Sequence, residues 1–276
     1  MSFVPPPLFA PERNVATASG SSSSGGDGNA SSSQASGEKQ PIEHITTHEQ
    51  YHNSGVAASA LPASPIALFH TWFAEAKAAN IYAPETMTIA TCTAASPPRP
   101  SSRIVLLKTL EPSGFTFFTN YASRKGRELE ANPWCSLTFY WAGPLHRSVR
   151  VCGRAERLST KESQAYFDTR PLGSRIGAHA SPQSQPISRE DLEARVRDFE
   201  QKFGVPGAAG LDGPKETEEK HIDVPEYWGG WRIVPDEIEF WLGRENRLHD
   251  RFRYTRPTES TKVAAEDTWT LDRLAP

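Results

Sequence analysis

Long hydrophobic runs are missing from this 276-residue chain. No stretch approaches the roughly eighteen consecutive apolar residues that a membrane-spanning helix requires, so no membrane role is expected. Cysteine is scarce. Cys92, Cys135 and Cys152 are odd in number, far apart and form no CxxC pair, which argues against a disulfide framework, a zinc site or any other metal centre. Each lies in an apolar, strand-like context, where a buried, inert thiol is expected. The expected compartment is therefore intracellular and reducing, most simply the cytoplasm. An excess of one charge is lacking too: 30 Lys and Arg against 33 Asp and Glu give a formal net charge of −3. That balance leaves no basic face for bulk nucleic-acid binding. GxGxxG and P-loop signatures are also absent, so any phosphate group would have to be held by side chains.

What is present divides the chain. Residues 18–40, "ASGSSSSGGDGNASSSQASGEKQ", contain no aromatic or β-branched side chain. Such a stretch buries too little apolar area to offset the entropy of ordering it. Residues 1–45 are expected to form a disordered tail, and residues 46–276 a single domain. The opening "MSFVPPP" breaks the apolar core that a signal peptide needs, and a weak mitochondrial leader is the alternative to plain disorder.

Within the domain, "SPIALFHTWFAEAKAAN" (64–80) predicts a helix with Ser64 as N-cap, Pro65 at the first position and Ile66, Phe69, Phe73 and Ala76 inward. Strands are expected at 86–95, 103–109, 114–120, 135–141 and 147–158, then at 229–234, 237–242, 251–256 and 268–274. Short helices are expected at 123–133 and 159–171, the second opened by a Ser159/Glu162 capping box, and a surface helix at 188–203. The Gly/Pro-rich, then charged, segment 204–221 reads as an exposed loop. Roughly eight short strands with helices inserted singly predict an α+β domain around an antiparallel barrel.

Positive charge is local. "RENRLHDRFRY" (244–254) packs four arginines and a histidine into eleven residues. "RIVLLK" carries Arg103 and Lys108, five apart, which on a regular strand would face opposite sides. "TNYASRKG" places Thr119, Ser123, Arg124 and Lys125 where a strand leads into a helix N-terminus, a natural anion site. "YFDTRPLGSRIG" gathers Tyr166, Arg170, Ser174 and Arg175. Singly, each has an ordinary reading as a strand-edge charge, a solvated cap or a surface pair. Guanidinium groups mixed with hydroxyls are what a phosphate dianion wants.

The order "RIVLLK … FFTN … SRKGREL … RAERLS … YFDTRPLGSRIG … WGGWRI … EIEFW … NRLHDRFRY … LDRLAP" resembles the pyridoxamine 5′-phosphate oxidase family, from about Pro65 to the C-terminus. The resemblance implies a homodimer of FMN-binding split β-barrels with active sites in clefts between the subunits. It implies oxidation of pyridoxine or pyridoxamine 5′-phosphate to pyridoxal 5′-phosphate, with oxygen reduced to hydrogen peroxide and ammonia released from the amine. By motif, FMN would be held by Arg103, Ile104, Val105, Leu106, Leu107, Lys108, Phe118, Thr119, Ser123, Arg124, Lys125, Gln183, Ser184, Trp241 and Arg251. The substrate phosphate would meet Lys108, Tyr166, Arg170 and Ser174, with Arg247 and His249 against the pyridine ring as the catalytic pair. Two phosphorylated ligands bring about three to four negative charges, and burying these unpaired would be prohibitive, which accounts for the clustered arginines.

The chain also departs from that pattern. Ser148 replaces a glutamine that touches the flavin in relatives, Leu242 replaces a polar residue beside Trp241, and Phe118 lacks a tyrosine's hydroxyl. In "HEQYHNSG" (48–55), His48 stands where the lid segment of relatives carries arginine, and Tyr51 is kept. Alternative readings are a split-barrel flavin reductase acting on another substrate, and a non-catalytic pyridoxal-phosphate or flavin carrier.

Overall fold

Five helices and nine strands make up the computed structural model, which describes residues 49–209, 220–257 and 269–276. The expected tail (1–45), His48 and positions 210–219 of the expected loop lie outside the described residues. Helix α1 (Pro65–Ala78) starts as the sequence predicts, with Ser64 Oγ accepting from the Ala67 N–H. Its buried face is rotated from the expected one. Leu68, Phe69, Trp72 and Ala76 face inward, while Ile66 and Phe73 pack at the margin.

The strands are β1 (Thr86–Cys92), β2 (Pro100–Leu106), β3 (Thr109–Glu111), β4 (Gly114–Asn120), β5 (Trp134–Trp141), β6 (Arg147–Arg157), β7 (Trp228–Leu242), β8 (Asp250–Thr255) and β9 (Thr270–Leu274). All pair antiparallel in one curled sheet of order β2-β1-β5-β6-β7-β4-β3, with β8 and β9 extending from β7. This is the split barrel expected. The two strands expected at 229–234 and 237–242 are one, because β7 runs through Pro235. A register shift opposite Cys152/Gly153 absorbs the proline, which lacks an N–H to donate. On one edge β7 pairs with β6 along most of its length. On the other, Trp228–Ile233 pair with β4 and Glu237–Leu242 pair with β8. That fork splits the barrel.

Alternation decides what lies inside. Ile89, Leu137, Val151, Ile238 and Tyr254 are cross-strand neighbours and are fully buried. Phe69 of α1 meets them through Phe115 (ring centroids 5.0 Å) and Phe139 (4.9 Å). Each such side chain contributes about 1.5–3 kcal/mol on burial. One residue along each strand lies the outer row Ile104, Thr88, Thr138, Arg150, Glu239 and Arg253. Ile104 (62 % exposed) and Tyr140 (55 %) leave apolar area on this outer face.

Helices α2 (Arg124–Ala131), α3 (Thr160–Asp168), α4 (Leu172–Ala180) and α5 (Arg189–Phe203) complete the fold. The capping box of α3 is present as expected. Helix α4 was not anticipated: its N-cap is Pro171, which has no side-chain hydrogen bond to offer. A second apolar cluster, including Phe167, Ile176, Ile222 and Trp228, sits under α3–α5. Cys135 is buried, its thiol pushed up to about 12 by burial first, then by nearby Cys152. Cys92 and Cys152 are only half-buried, against expectation, and all three are free.

Candidate active site

A cavity of ≈ 1230 Å³ opens at the free edge of β2. It exceeds the ~300–1,000 Å³ typical of one small-molecule site, leaving room for two ligands. An edge strand can show both of its faces to one cavity, and β2 contributes Arg103, Ile104, Val105 and Leu106. The strand ends at Leu106; Arg103 and Lys108 both line this cavity, and Lys108 also borders a smaller opening beside Phe69, Phe73 and Leu107. Leu107 does not line the larger cavity; its side chain is buried in the core.

Phe118 and Thr119 reach the cavity from β4, Arg124 and Lys125 from the start of α2, and Gln183 and Ser184 from the turn after α4. Ser123 lies beneath as the N-cap of α2, accepting from Gly126 N–H. Tyr166, Arg170 and Ser174 come from α3, the α3–α4 junction and α4. Helix α4 thus keeps the motif "YFDTRPLGS" at one cavity. The turn at Pro171 folds Ser174 back beside Tyr166 and Arg170.

Lys125 is buried here and Arg170 is half-buried, neither with a carboxylate partner among the described residues. Lys125 Nζ donates to Thr119 Oγ1 (2.8 Å), Gln183 Oε1 (3.2 Å) and Ser123 Oγ (3.3 Å), all neutral. Burial, then the Arg103 charge, lowers its pKa to about 8. Arg170 lies over the Trp228 ring at 4.8 Å, and its Nη1 is buried without a hydrogen-bond partner. Burial first, and Arg175 nearby, lower its pKa from the ordinary value, opposed by Tyr166. Leaving a buried charge unpaired is costly. Both groups therefore suit an arriving anion, and their places at separate parts of the wall suit two phosphates. The residues present fit a phosphorylated flavin and a phosphorylated substrate.

The remaining candidates are not in this cavity. Trp241 and Arg251 line a smaller cleft of ≈ 450 Å³ together with Tyr140, Ser148, Arg150 and Glu239. Arg251 Nε donates to Glu239 Oε1 (2.8 Å), a bond that raises the guanidinium's pKa. Arg247 is exposed at a left-handed backbone position (φ 62°). His249 packs on Trp241 (4.8 Å) and Tyr51 (5.8 Å). Its Nδ1 accepts from the Arg244 N–H at 3.0 Å. Burial, then the Arg247 charge, hold its pKa below the ordinary value. A neutral ring with Nδ1 engaged as acceptor carries its proton on Nε2, so His249 offers a donor rather than a base.

The two openings are joined by the outer face of the sheet. Ile104 and Leu106 on β2 rim the cavity, whereas Tyr140 on β5, Ser148 on β6 and Trp241 on β7 line the cleft, with β1 between the two openings. Four strand spacings put β2 and β7 about 19 Å apart along the sheet. Within one chain the candidate residues thus form two groups. Sequence reading missed Trp228, Asn120, Ser181 and Thr169, which also line the cavity. "YWGGW" was the available signal for Trp228, and no pattern marked the others. Among the described residues no His/Cys/Asp/Glu group could hold a metal, and no helix is long and apolar enough to cross a membrane.

Residues 72–202 match the family described as Pyridoxamine 5'-phosphate oxidase. Residues 228–276 match Pyridoxine 5'-phosphate oxidase C-terminal dimerisation region. A Pyridoxine/pyridoxamine 5'-phosphate oxidase of Bordetella avium is 51% identical over 214 residues, covering 78% of this chain and 90% of that protein. One of Burkholderia multivorans is 50% identical over 220 residues, covering 79% and 92%. Among solved structures, PhzG from Burkholderia lata 383, in complex with tetrahydrophenazine-1-carboxylic acid, aligns with a TM-score of 0.66 at 27% identity, covering 81% of this chain and 98% of that one. A pyridoxamine 5'-phosphate oxidase-related FMN binding protein of Nostoc punctiforme shares the fold at a TM-score of 0.55 and 15% identity, covering 77% and 98%.

Proposed function

The chain belongs to the pyridoxamine 5′-phosphate oxidase family, and from that membership we propose that it oxidises pyridoxine and pyridoxamine 5′-phosphate to pyridoxal 5′-phosphate with FMN. The observation that carries this reading is the convergence of Lys108, Tyr166, Arg170 and Ser174 on one cavity with Arg103, Thr119, Arg124, Lys125 and Gln183. A substrate without a phosphate, such as the carboxylate bound in the PhzG complex, gives the first group nothing to hold as a dianion.

FMN, when bound, supplies the acceptor for the two electrons that leave the substrate's 4′ carbon and hands them to oxygen, giving hydrogen peroxide. The protein's share is binding, orientation and electrostatics. Arg103, Arg124 and Lys125 neutralise the flavin phosphate. Tyr166, Arg170 and Ser174 fix the substrate phosphate, which sets the position of the carbon to be oxidised. His249 Nε2–H donates to a ring substituent, and Arg247 stabilises negative charge developing beside it. With the amine substrate, water then adds to the imine and ammonia leaves.

Arg247, His249, Trp241 and Arg251 can join the cavity only if a second copy brings its cleft to it. The exposed Ile104, Leu106 and Tyr140 give the outer face apolar area to bury, as a two-fold dimer would. A homodimer sharing two such sites is part of the proposal.

Purified protein should be yellow with an FMN spectrum and should bleach anaerobically on adding pyridoxine 5′-phosphate, with pyridoxal 5′-phosphate formed. Arg247→Ala should stay yellow and bleach slowly. Bleaching by a reduced nicotinamide nucleotide alone would favour the reductase reading. Lasting colour with the B6 ester, or no colour at all, would favour a carrier.

Lys125 gives a pH dependence. Its ammonium must be charged to hold the phosphate, and its pKa in the free protein is about 8. FMN affinity should therefore be steady from about pH 6.5 to 7.5, where the phosphate is mostly dianionic. It should fall, by up to about tenfold per pH unit, as the ammonium deprotonates above pH 8. Flavin fluorescence quenching measures this, and affinity constant to pH 9.5 would remove Lys125 from the site.

A further inference from the structure

Glu128 lies on α2, one turn after Arg124, and is only 7% exposed. Both carboxylate oxygens are engaged. Oε2 accepts from Thr91 Oγ1 (2.5 Å, β1), Ser101 Oγ (2.6 Å, β2) and Arg103 Nη2 (3.3 Å); Oε1 accepts from Arg124 Nε (2.9 Å). Arg103 is clamped further by Nη1 on Thr91 Oγ1 (2.6 Å) and Nη2 on Ser101 Oγ (2.5 Å). Burial alone would raise the Glu128 pKa, yet the Ser101, Thr91 and Arg124 hydrogen bonds bring it down to about 2. The carboxylate therefore stays charged under all working conditions.

A buried negative charge directly behind Ser101, Arg103 and Arg124, which line the cavity proposed to bind phosphate, is unexpected by charge alone. Coulomb's law says that removing it should tighten phosphate binding. The geometry points the other way. Two guanidinium groups from different elements, β2 and α2, meet on this one carboxylate. Held through Nε, Arg124 keeps its outer Nη edge for another partner, and a pre-set fork loses less entropy on binding than a free side chain. We propose that Glu128 is a positioning residue that fixes Arg103 and Arg124 for the flavin phosphate and so sets the preference for FMN over unphosphorylated riboflavin. This rests on the FMN reading given above.

The purely structural alternative is that Glu128 only docks α2 on the sheet. In that case its loss should weaken both flavins equally, because each needs the same wall. The test titrates wild-type protein and Glu128→Gln with FMN and with riboflavin, following fluorescence quenching. Gln keeps the shape and removes the charge. The expected result is a Kd for FMN raised at least tenfold, with riboflavin affinity changed less than twofold. Unchanged or tighter FMN binding in Glu128→Gln would overturn the positioning role, as would equal losses for both flavins. Should Glu128→Gln fail to fold, Ser101→Ala removes one hydroxyl from the clamp. It should lower the FMN-to-riboflavin preference at least twofold, and an unchanged preference counts against the proposal. If the wild-type protein itself binds FMN no better than riboflavin, the phosphate site is misassigned and the cofactor reading falls with it.

Discussion

Arg170→Ala is expected to lower kcat/KM for pyridoxine 5′-phosphate by about 100- to 1,000-fold, mostly through KM, with FMN still bound. Arg170 lines the cavity, its Nη1 has no protein partner, and Trp228 fixes its plane from one side. A charge-assisted hydrogen bond contributes about 1.5–3 kcal/mol, and a buried ion pair broken on one side loses about 3–5. A loss of about 3–4 kcal/mol corresponds to the stated range, since 1.4 kcal/mol is tenfold. Arg170→Lys should recover only part of it, because an ammonium cannot supply the two parallel bonds of a guanidinium. Turnover of unphosphorylated pyridoxine is the control and should change less than about threefold. Equal losses on both substrates would mean that Arg170 shapes the cavity without holding phosphate.

A large stability effect is expected at Gly153. A Cβ there would sit 2.2 Å from the Val234 carbonyl oxygen and 2.8 Å from Pro235 Cα. Both obstacles are backbone of β7 at the place where its register with β6 shifts, so no rotamer change relieves the clash. Gly153→Ala should cost about 3 kcal/mol, which lowers Tm by about 6–12 °C for a domain of this size. Thermal unfolding with FMN removed isolates the effect, since bound ligand would add its own stabilisation. A Tm within 2 °C of wild type would mean that the two strands separate easily at this point.

Local rules made most elements legible. Ser64-Pro65, Ser123, the Ser159/Glu162 box and Ser188 mark helix starts because an N-cap is a contact within four residues, written directly in the sequence. Alternation likewise located β1, and aromatic residues after a Ser-Gly turn located β4. Helix α4 escaped because proline caps it and glycines dilute its apolar pattern. Arg103 and Lys108 line one cavity whichever way they face, because the free edge of β2 shows both of its faces to it.

The site was legible differently. Types and order of residues identified the family, but no periodicity shows that Lys125 is buried among neutral oxygens or that Arg170 is left unpaired. Nor did spacing distinguish Glu128 from Glu130, the other acidic residue of α2. Its role depends on Thr91 and Ser101, 37 and 27 residues away in sequence. Such long-range meetings are properties of the sheet register.

The stretch of sheet between the cavity and the Trp241 cleft has a genetic consequence if two copies share their sites. A chain damaged only at Arg170 and another damaged only at Arg251 would each be inactive alone. Mixed in one dimer, the sound cavity of the second would face the sound cleft of the first, while both lesions would fall together in the opposite site. Two defective alleles would then restore growth that neither supports by itself.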